Sequence, residues 1–577
     1  MAGVPAVVVA APASGSGKTT LATGLIGALR RAGHRVAPFK VGPDYIDPGY
    51  HGLAAGRPGR NLDPVLVGAD RVVPLYHHGA AGCDLAVVEG VMGLFDGRID
   101  EHETGPVAEG STAQVASLLG APVVLVVDAR GHSQSLAALL HGFATFDSGV
   151  RLGGVILNRV GSERHDQVLR AACARVGLPV LGSLPRMDAL EVPSRHLGLI
   201  PAVEHGAAAA AAVAAMTELV AAHVDLGAVA ALARPTTDAV AWDPVAAVRE
   251  AVAGDAALQS GSYGVVSRSG SRDVCANDAT AVRVGSSALE DHTGTAEGDE
   301  SGRGHAASTR SRLLGDSRER QGNEGGADAA RAARAGRRAD APTSEWSAGG
   351  YGTSTGVEDG SGNDEATRTR RGPVIAMAGG PAFTFGYAEH RELLTAAGAR
   401  VVVFDPLRDE LPTGTAGLVL PGGFPEEHAA DLAANTPLLT AVREHAGAGL
   451  PIHAECAGLL YLTRSLDGHA MAGVVDADAE FGPRLTLGYR DAVALADSAL
   501  WRAGERVRGH EFHRTRLVAA TTAAPAWGWH DGAGARVREG TLVGQVHASY
   551  LHTHPAGNPS ATARFVGAAA DYARVRH

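Results

Sequence analysis

Short, continuous apolar runs alternate with helical patterns along the first 200 residues. The runs are rich in valine and lack the apolar–polar alternation of a half-exposed strand, so they predict strands buried on both faces of a parallel sheet. The predicted strands are residues 7–10, 85–88, 123–127 and 154–157, with helices over 19–32 and 133–143. This pattern predicts an α/β domain with a doubly wound parallel sheet over residues 1–200, followed by a helical extension over 201–259.

The pattern breaks near residue 260. Residues 260–372 are dense in glycine, serine, arginine, threonine and acidic residues and contain few large apolar side chains. Such a segment cannot bury enough apolar surface to offset its chain entropy, which predicts a disordered linker or insertion. A mixed-charge docking arm is the alternative interpretation of the same composition.

A second α/β domain is predicted over residues 373–577. Its expected strands are residues 374–377, 401–404, 418–420 and 451–454, and its expected helices are 388–397, 438–446 and 457–466. The chain therefore combines two α/β units, as expected because 577 residues are too many for a single domain with one hydrophobic core.

Composition narrows the class of protein. Apolar residues make up 45% of the chain and charged residues 20%, as in a globular protein, and the net charge of -11 argues against general nucleic-acid binding. The four cysteines contain no C-x-x-C pair, which disfavours a disulfide framework or structural zinc and predicts a reducing, cytoplasmic location. The first apolar run lacks a basic region before it, so a buried strand is expected instead of a signal peptide, and no membrane span is predicted.

A phosphate-binding motif follows the first strand. Residues 11–20 read APASGSGKTT and lead directly into a helix, the strand–turn–helix context of a P-loop, although Pro12 replaces the usual first glycine. In this context Lys18 is expected to reach the β- and γ-phosphates of ATP, and the Thr19 hydroxyl to hold Mg²⁺. The predicted nucleotide-binding residues are Gly15, Ser16, Gly17, Lys18, Thr19 and Thr20.

Charged residues follow other strands at the same expected sheet edge. Glu89 ends the strand 85–88 and is assigned to Mg²⁺, with a solvated strand-end glutamate as the alternative. Asp96 either positions substrate or ion, or makes an Asx-turn. After the second strand, Lys40 is expected to stabilise a transferring phosphoryl group, and Asp44 to ligate Mg²⁺ or orient the acceptor, although this proline-rich segment could be an ordinary loop.

A cysteine stands on a predicted strand-to-helix turn in the second domain. Cys456 follows the strand 451–454 and precedes a helix, so its thiol would be exposed at the sheet edge, where a helix N-terminus favours the thiolate. The alternative is a buried, inert cysteine. The amide N–H groups of Gly422, Gly423 and Ala457 are expected to form an oxyanion hole.

A thiol nucleophile requires a histidine base, and the second domain offers several. The candidates are His510, His513, His547, His552 and His554. Sequence spacing does not choose among them. Metal binding by this set is the alternative, although the spacing of His510 and His513 differs from that of the zinc-protease helix motif.

At this point the chain resembles the cobyrinic acid a,c-diamide synthases, which are glutamine amidotransferases of the corrinoid pathway. The resemblance covers both predicted domains and excludes residues 260–372. The motifs that carry it are residues 11–20, 39–48 (FKVGPDYIDP), 89–97 (EGVMGLFDG), 195–199 (RHLGL), 421–426 (PGGFPE), 454–458 (AECAG), 509–513 (GHEFH) and 550–552 (YLH). The family also resembles dethiobiotin synthetase in its relaxed P-loop, which accounts for Pro12.

The resemblance implies the chemistry. ATP, with Mg²⁺, would phosphorylate a carboxylate of a corrinoid acid, and ammonia from L-glutamine would displace the phosphate, first at one and then at the other of the a- and c-positions. It also implies that His552 is the base for Cys456, that Asn158 contacts adenine, and that Tyr45 and Ile46 contact the substrate. A homodimer is a further expectation.

The sequence departs from the family at one site position. The usual glutaminase triad has an acid two residues after the histidine, where this chain has His554, so a Cys–His dyad is expected. Cobyric acid synthase and nickel-sirohydrochlorin a,c-diamide synthase remain alternatives with similar motifs, although Val41–Asp44 favour the a,c-diamide type. A P-loop ATPase switch leaves Cys456 unexplained, and a stand-alone glutaminase leaves the first domain unexplained.

Overall fold

The computed structural model describes residues 3–99, 105–186, 194–195, 198–199, 206–259, 372–520 and 524–576. The described residues on the two sides of the 260–371 segment belong to one compact unit. The predicted linker lies outside the described residues, apart from Gly372, as do residues 196 and 197 of the 195–199 motif.

The elements before residue 260 alternate strands and helices. They are β1 (Pro5–Ala10), α1 (Lys18–Arg31), β2 (Val36–Val41), α2 (Asp47–Ala55), β3 (Arg60–Leu62), α3 (Pro64–Val67), α4 (Ala69–Gly79), β4 (Leu85–Glu89), α5 (Thr112–Leu119), β5 (Val123–Asp128), α6 (Leu136–Thr145), β6 (Leu152–Val160), α7 (Glu163–Arg175), β7 (Val180–Pro185), β8 (Ser194–Arg195), β9 (Gly198–Leu199), α8 (Ala207–His223), α9 (Leu226–Leu232), β10 (Arg234–Pro235) and α10 (Pro244–Gln259).

These strands form the predicted parallel sheet. Its order is β3-β2-β4-β1-β5-β6-β7, all parallel, and β10 pairs antiparallel with β1. Alternate residues of β1 enter different cores: Val8 packs into one apolar cluster, and Val7 and Val9 pack into another. Both faces are therefore covered, which explains why the strand is apolar at every position. The carboxyl ends of β2, β4, β1 and β6 converge on one edge.

The elements after residue 372 include more strands than the sequence pattern predicted. They are β11 (Val374–Ala378), α11 (Ala388–Ala396), β12 (Arg400–Phe404), β13 (Thr415–Leu420), a 3₁₀ turn (Pro425–His428), α12 (Ala429–Ala434), α13 (Thr436–Gly447), β14 (Ile452–Glu455), α14 (Ala457–Leu462), β15 (Ser465–Leu466), β16 (His469–Ala470), β17 (Asp478–Ala494), β18 (Arg506–Val518), β19 (Trp527–His530), β20 (Arg536–Glu539), β21 (Thr541–Val543), β22 (Val546–Ser549), β23 (His552–Thr553), a 3₁₀ turn (Pro555–Gly557) and α15 (Pro559–Arg576).

Two sheets build this half within the described residues. One has the order β12-β11-β13-β14-β22-β21 and is parallel except for β21. The other joins β16-β15-β17-β18-β23 with β19 and β20, around the long antiparallel pair of β17 and β18. The helix expected over 457–466 ends at Leu462, because residues 465–466 instead form β15 and pair with β17. Among the described residues, no helix has the length and apolar character of a membrane span.

Candidate active site

The P-loop connects β1 to α1 through two glycines in left-handed conformations. Gly15 has φ 77° and Gly17, at the helix N-terminus, has φ 92°. A Cβ on Gly17 would lie 2.3 Å from Nδ2 of Asn158, so a side chain there would also displace the Asn158 amide. Lys18 begins α1, and its Nζ donates to the carbonyl oxygen of Met92 at 2.6 Å. The loop therefore has the backbone conformation and the cation that a phosphate site requires.

The end of β6 holds this loop from its other side. Asn158 Nδ2 donates to the carbonyl oxygen of Ser16 at 2.9 Å. Arg159 donates to the carbonyl oxygen of Gly15 at 2.9 Å and pairs with Asp128 at 2.6 Å. Asn158 thus lies beside the nucleotide loop, as expected from its strand, and its contact with adenine stays a prediction.

Two carboxylates converge on the Thr19 hydroxyl at the sheet edge. Thr19 Oγ1 donates to Oε1 of Glu89, at 2.7 Å, and lies 3.1 Å from Oδ2 of Asp47. Lys40 Nζ lies 2.6 Å from the Asp47 carboxylate and 3.1 Å from that of Glu89. Glu89 also contacts Nε2 of His51 at 2.6 Å.

The protonation of these groups follows from burial and from charge. Burial is the largest influence on each group. For Glu89 it is outweighed by Lys40 and by the hydrogen bond from His51, so its pKa falls to about 2. Burial and the neighbouring Asp44 raise the pKa of Asp47 to about 6. For Lys40, Asp47 and Glu89 outweigh burial and raise the pKa. The hydroxyl and carboxylate oxygens of this cluster therefore stabilise a positive charge, here the ammonium group of Lys40.

The sequence predicted no role for Asp47 or His51, which belong to this cluster. It predicted that Asp44 ligates Mg²⁺, but Asp44 is not among the residues that contact Thr19. Asp44 Oδ1 accepts hydrogen bonds from the backbone N–H groups of Ile46 and Asp47, both at 2.8 Å, so this oxygen shapes the turn before α2. Asp47, three residues later, is the residue that reaches Thr19. The available signal was the spacing of four between Asp47 and His51, which puts both on one face of α2. The catalytic and metal roles expected for Asp44 stay predictions.

Asp96 closes the turn that follows β4. Its Oδ2 accepts a hydrogen bond from the N–H of Gly93 at 3.0 Å. The same turn presents the Met92 carbonyl to Lys18. This bond runs back to Gly93 and is not the forward contact of an Asx-turn, so both expected roles of Asp96 stay predictions.

Cys456 occupies a strained turn between β14 and α14. Its φ of 50° and ψ of -98° are unusual for a side-chain-bearing residue, and its N–H donates to the carbonyl oxygen of Ser549 at 2.7 Å. Burial and the charge of Glu426 raise the pKa of the thiol more than the nearby backbone N–H groups of Ala457 and Gly423 lower it, so the net shift is upward. The thiol is therefore held neutral beside two amides suited to an oxyanion.

His552 faces the same glycine loop. A Cβ on Gly422 would lie 2.3 Å from the imidazole Cε1, so only glycine allows this close approach. Neither ring nitrogen of His552 has a hydrogen-bond partner among the described residues. Burial lowers its pKa to about 4, which keeps the ring neutral, as a general base requires.

Three of the other histidine candidates contact an aromatic ring or a backbone N–H group. His513 stacks on Tyr550, with ring centroids 3.8 Å apart, and His547 packs against Trp527 at 5.2 Å. His554 Nδ1 accepts from the N–H of Ala556 at 3.2 Å. Among the residues that the structure describes, no group of three His, Cys, Asp or Glu side chains is arranged to hold a metal ion.

The two halves of the molecule meet beside His552. Tyr45, from the loop between β2 and α2, stacks on Phe385 with centroids 4.9 Å apart and lies 5.1 Å from the His552 ring. Tyr489 donates to the buried Asp63 at 3.0 Å. Tyr45 therefore packs against residues of the cysteine half, and its expected contact with substrate, like that of the buried Ile46, stays a prediction.

Comparison with known proteins identifies both halves. Residues 7–200 match the CobQ/CobB/MinD/ParA nucleotide binding domain, and residues 374–559 match the CobB/CobQ-like glutamine amidotransferase domain. The chain is 50% identical to hydrogenobyrinate a,c-diamide synthase of Mycobacterium tuberculosis H37Rv, over 98% of each chain. It is 49% identical to the Streptomyces coelicolor enzyme of that name, over 98% of this chain and 97% of the relative.

A more distant relative carries a related name. Cobyrinate a,c-diamide synthase of Gloeobacter violaceus is 34% identical, over 97% of this chain and 96% of the relative. The nucleotide site, the cysteine site and these full-length similarities agree. The chain belongs to the family of glutamine-dependent a,c-diamide synthases of cobalamin biosynthesis.

Proposed function

We propose that this chain converts hydrogenobyrinic acid to its a,c-diamide, with ATP and glutamine as co-substrates. The observation that carries the proposal is the presence, in one compact unit, of a P-loop with a carboxylate cluster and of a strained cysteine and a neutral histidine that both approach the Gly422–Gly423 turn. The relatives at 49–50% identity are named for hydrogenobyrinate, which favours the cobalt-free acid over cobyrinic acid.

Phosphoryl transfer is assigned to the sheet edge at Thr19. The substrate carboxylate attacks the γ-phosphorus of ATP, and the bond from that phosphorus to the bridging oxygen breaks. ADP is released, and the substrate carboxylate becomes an acyl phosphate. Lys18 and the P-loop amides bind the phosphates, and Lys40 lies where it can offset negative charge on the transferring group.

The Thr19 cluster also fits Mg²⁺. It supplies one hydroxyl and two carboxylates, the hard oxygen ligands that this ion prefers, and it already holds the ammonium group of Lys40. Thr19, Asp47 and Glu89 would hold the ion, which would neutralise charge on the β- and γ-phosphates.

Ammonia release is assigned to Cys456. His552 takes the thiol proton, and the sulfur attacks the side-chain amide carbon of glutamine. The N–H groups of Gly423 and Ala457 stabilise the oxyanion, ammonia leaves with the proton from His552, and water hydrolyses the thioester to glutamate. Ammonia then displaces phosphate from the acyl phosphate, and the cycle repeats at the second carboxylate.

A mass-spectrometric assay tests this assignment. Hydrogenobyrinic acid, cobyrinic acid and nickel-sirohydrochlorin are incubated separately with the protein, ATP, Mg²⁺ and either glutamine or ammonium. We expect two successive replacements of hydroxyl by amino on hydrogenobyrinic acid, with either nitrogen donor. Faster diamidation of another acid would reassign the substrate, and ATP hydrolysis without any amidation would favour an ATPase switch. Cytoplasmic location and a homodimer stay predictions.

A further inference from the structure

Glu455 immediately precedes the nucleophile, and its carboxylate lies behind the histidine. One oxygen, Oε1, accepts hydrogen bonds from the N–H and the hydroxyl of Thr553, at 3.0 and 2.9 Å. The other oxygen, Oε2, lies 3.8 Å from Nδ1 of His552. The position two residues after His552, where the usual glutaminase triad has an acid, holds His554 instead.

The contacts with Thr553 fix the orientation of this carboxylate. Thr553 follows His552 in β23, so the strand that carries the imidazole also anchors the acid. The distance of 3.8 Å is longer than a hydrogen bond, but catalytic hydrogen bonds are often long without substrate and shorten in the complex. Nδ1 has no other partner among the described residues, so it is available to donate to Oε2.

Two other carboxylates of this region are already paired with arginines. Glu511 accepts from Arg490 at 2.6 Å, and Glu389 accepts from Arg60 at 2.6 Å. Glu455 instead contacts Thr553 and, at 3.3 Å, Nε2 of His453. No arginine pairs with Glu455 in these contacts, so its negative charge is less neutralised than that of Glu511 or Glu389. It is also the carboxylate whose Oε2 lies near Nδ1 of His552.

We propose that Glu455 is the third member of the glutaminase site, a positioning residue that accepts a hydrogen bond from Nδ1–H of His552. The inference rests on the proposed function. The Sγ–H bond of Cys456 breaks, its proton passes to Nε2 of His552, and its electron pair stays on sulfur. The resulting imidazolium keeps Nδ1–H, which Oε2 of Glu455 stabilises. When the C–N bond of the glutamine adduct breaks, the Nε2 proton leaves with ammonia.

Replacement of Glu455 by glutamine tests the role with little change of shape. Glu455→Gln keeps an oxygen for Thr553 but presents its amide NH2 to His552. The acceptor for Nδ1–H of His552 is then lost. We expect kcat with glutamine to fall about 10²-fold and KM for glutamine to stay within about 3-fold. Amidation with free ammonium should persist at the wild-type rate, because it bypasses Cys456. Glu455→Asp should recover part of the glutamine-dependent rate.

A matched control separates this role from the loss of a buried carboxylate. Glu539 is also buried beside the cysteine site, and it accepts from Ser549 and from the N–H of Tyr550, at 2.5 and 2.7 Å. Glu539→Gln keeps an acceptor for both and should lower the glutamine-dependent rate far less than Glu455→Gln. Equal losses in the two variants, or equal losses with both nitrogen donors in Glu455→Gln, would overturn the proposal.

Thiol reactivity gives a second readout that does not need the corrinoid reaction. A glutamine-analogue diazoketone alkylates the nucleophile, and its rate reports thiolate formation. Glu455 is the foremost charge acting on the His552 ring and a lesser one on the Cys456 thiol, whose pKa it also raises. Its loss should therefore destabilise the imidazolium more than it favours the thiolate, and the inactivation profile of Glu455→Gln should move to higher pH. The other titratable groups around His552 are Tyr45, His453, His510, Glu511 and His513.

The two readouts distinguish the possible failures. An unchanged inactivation profile together with wild-type glutamine use in Glu455→Gln would refute the role of Glu455. A wild-type protein that fails to amidate any acid with either donor would instead refute the proposed function, while the alkylation profiles would still test the Cys456–His552–Glu455 arrangement.

Discussion

The phosphate site and the cysteine site treat charge in opposite ways. Around Thr19, a buried ammonium pairs with buried carboxylates, and the pKa of Glu89 falls to about 2. Around Cys456, burial keeps the groups neutral: it raises the pKa of the thiol and lowers that of His552 to about 4. The first site is organised to receive charged phosphates and a cation, whereas in the second the thiol and the imidazole become charged only during proton transfer.

The largest expected effects test whether the two sites are separable. Cys456→Ala should reduce glutamine-dependent amidation by at least about 10³-fold and leave the ammonium-dependent rate within about 3-fold, because only the nitrogen source is lost. Lys18→Ala should abolish amidation with both donors, since both need the acyl phosphate. Steady-state assays with each donor measure this. Loss of ammonium-dependent activity in Cys456→Ala would contradict separate sites.

The next comparison lies within the phosphate site. Asp47→Asn should raise the Mg²⁺ concentration for half-maximal activity at least about 10-fold, because Asp47 contacts the Thr19 hydroxyl. Asp44→Asn keeps an oxygen for the N–H groups of Ile46 and Asp47, so it should leave the Mg²⁺ requirement within about 3-fold, whatever its effect on kcat. A Mg²⁺ titration of both variants decides. The opposite ranking would return the metal role to Asp44.

Tyr45 offers a way to disturb both sites at once. Tyr45→Ala removes the ring that packs on Phe385 and beside His552, and we expect a loss of about 3 kcal/mol in the free energy of unfolding. The ratio of glutamine molecules hydrolysed to amides formed should also rise, because the nucleotide-binding half and the glutaminase half lose a contact beside His552. Tyr45→Phe keeps the ring and should preserve the wild-type ratio. An unchanged ratio in Tyr45→Ala would show that this contact does not couple the halves.

The buried histidines predict a loss of stability in mild acid. Burial lowers the pKa of His390, His552 and His554 to about 4, and that of His510 and His547 to about 3. Between an unfolded pKa of about 6.5 and these values, the unfolded chain binds more protons, so the free energy of unfolding falls as pH falls.

Three buried carboxyls oppose this trend. Burial raises the pKa of Asp47 and Asp63 to about 6 and that of Glu539 to about 7, so the folded state binds protons there that the unfolded state does not. For these eight groups alone, five histidines against three carboxyls leave two protons, or about 3 kcal/mol for each pH unit near pH 5. Urea denaturation at several pH values measures the slope. His469 is exposed, so His469→Asn should leave this pH dependence unchanged. A free energy of unfolding that does not change with pH would contradict neutral buried histidines.

Much of the phosphate site could be predicted because its residues follow one another on successive strands. The glycine-rich turn, Lys18, Thr19 and Glu89 each stand at the end of an apolar run, and parallel strands bring such ends together. Asp47 and His51 were missed because their contribution depends on how α2 packs against the sheet. The long antiparallel pair of β17 and β18 was also missed, because much of it is exposed and lacks a continuous apolar pattern.

The sequence by itself determined the α/β class and predicted the two chemical centres, with Cys456 as the expected nucleophile, because apolar runs and turn glycines act over short distances along the chain. Only the tertiary structure brought Gly422 against His552, Tyr45 across to the same ring, and Glu455 behind it. These contacts join residues tens or hundreds of positions apart. Their geometry depends on the pairing of strands and the packing of the two halves, which local spacing does not encode.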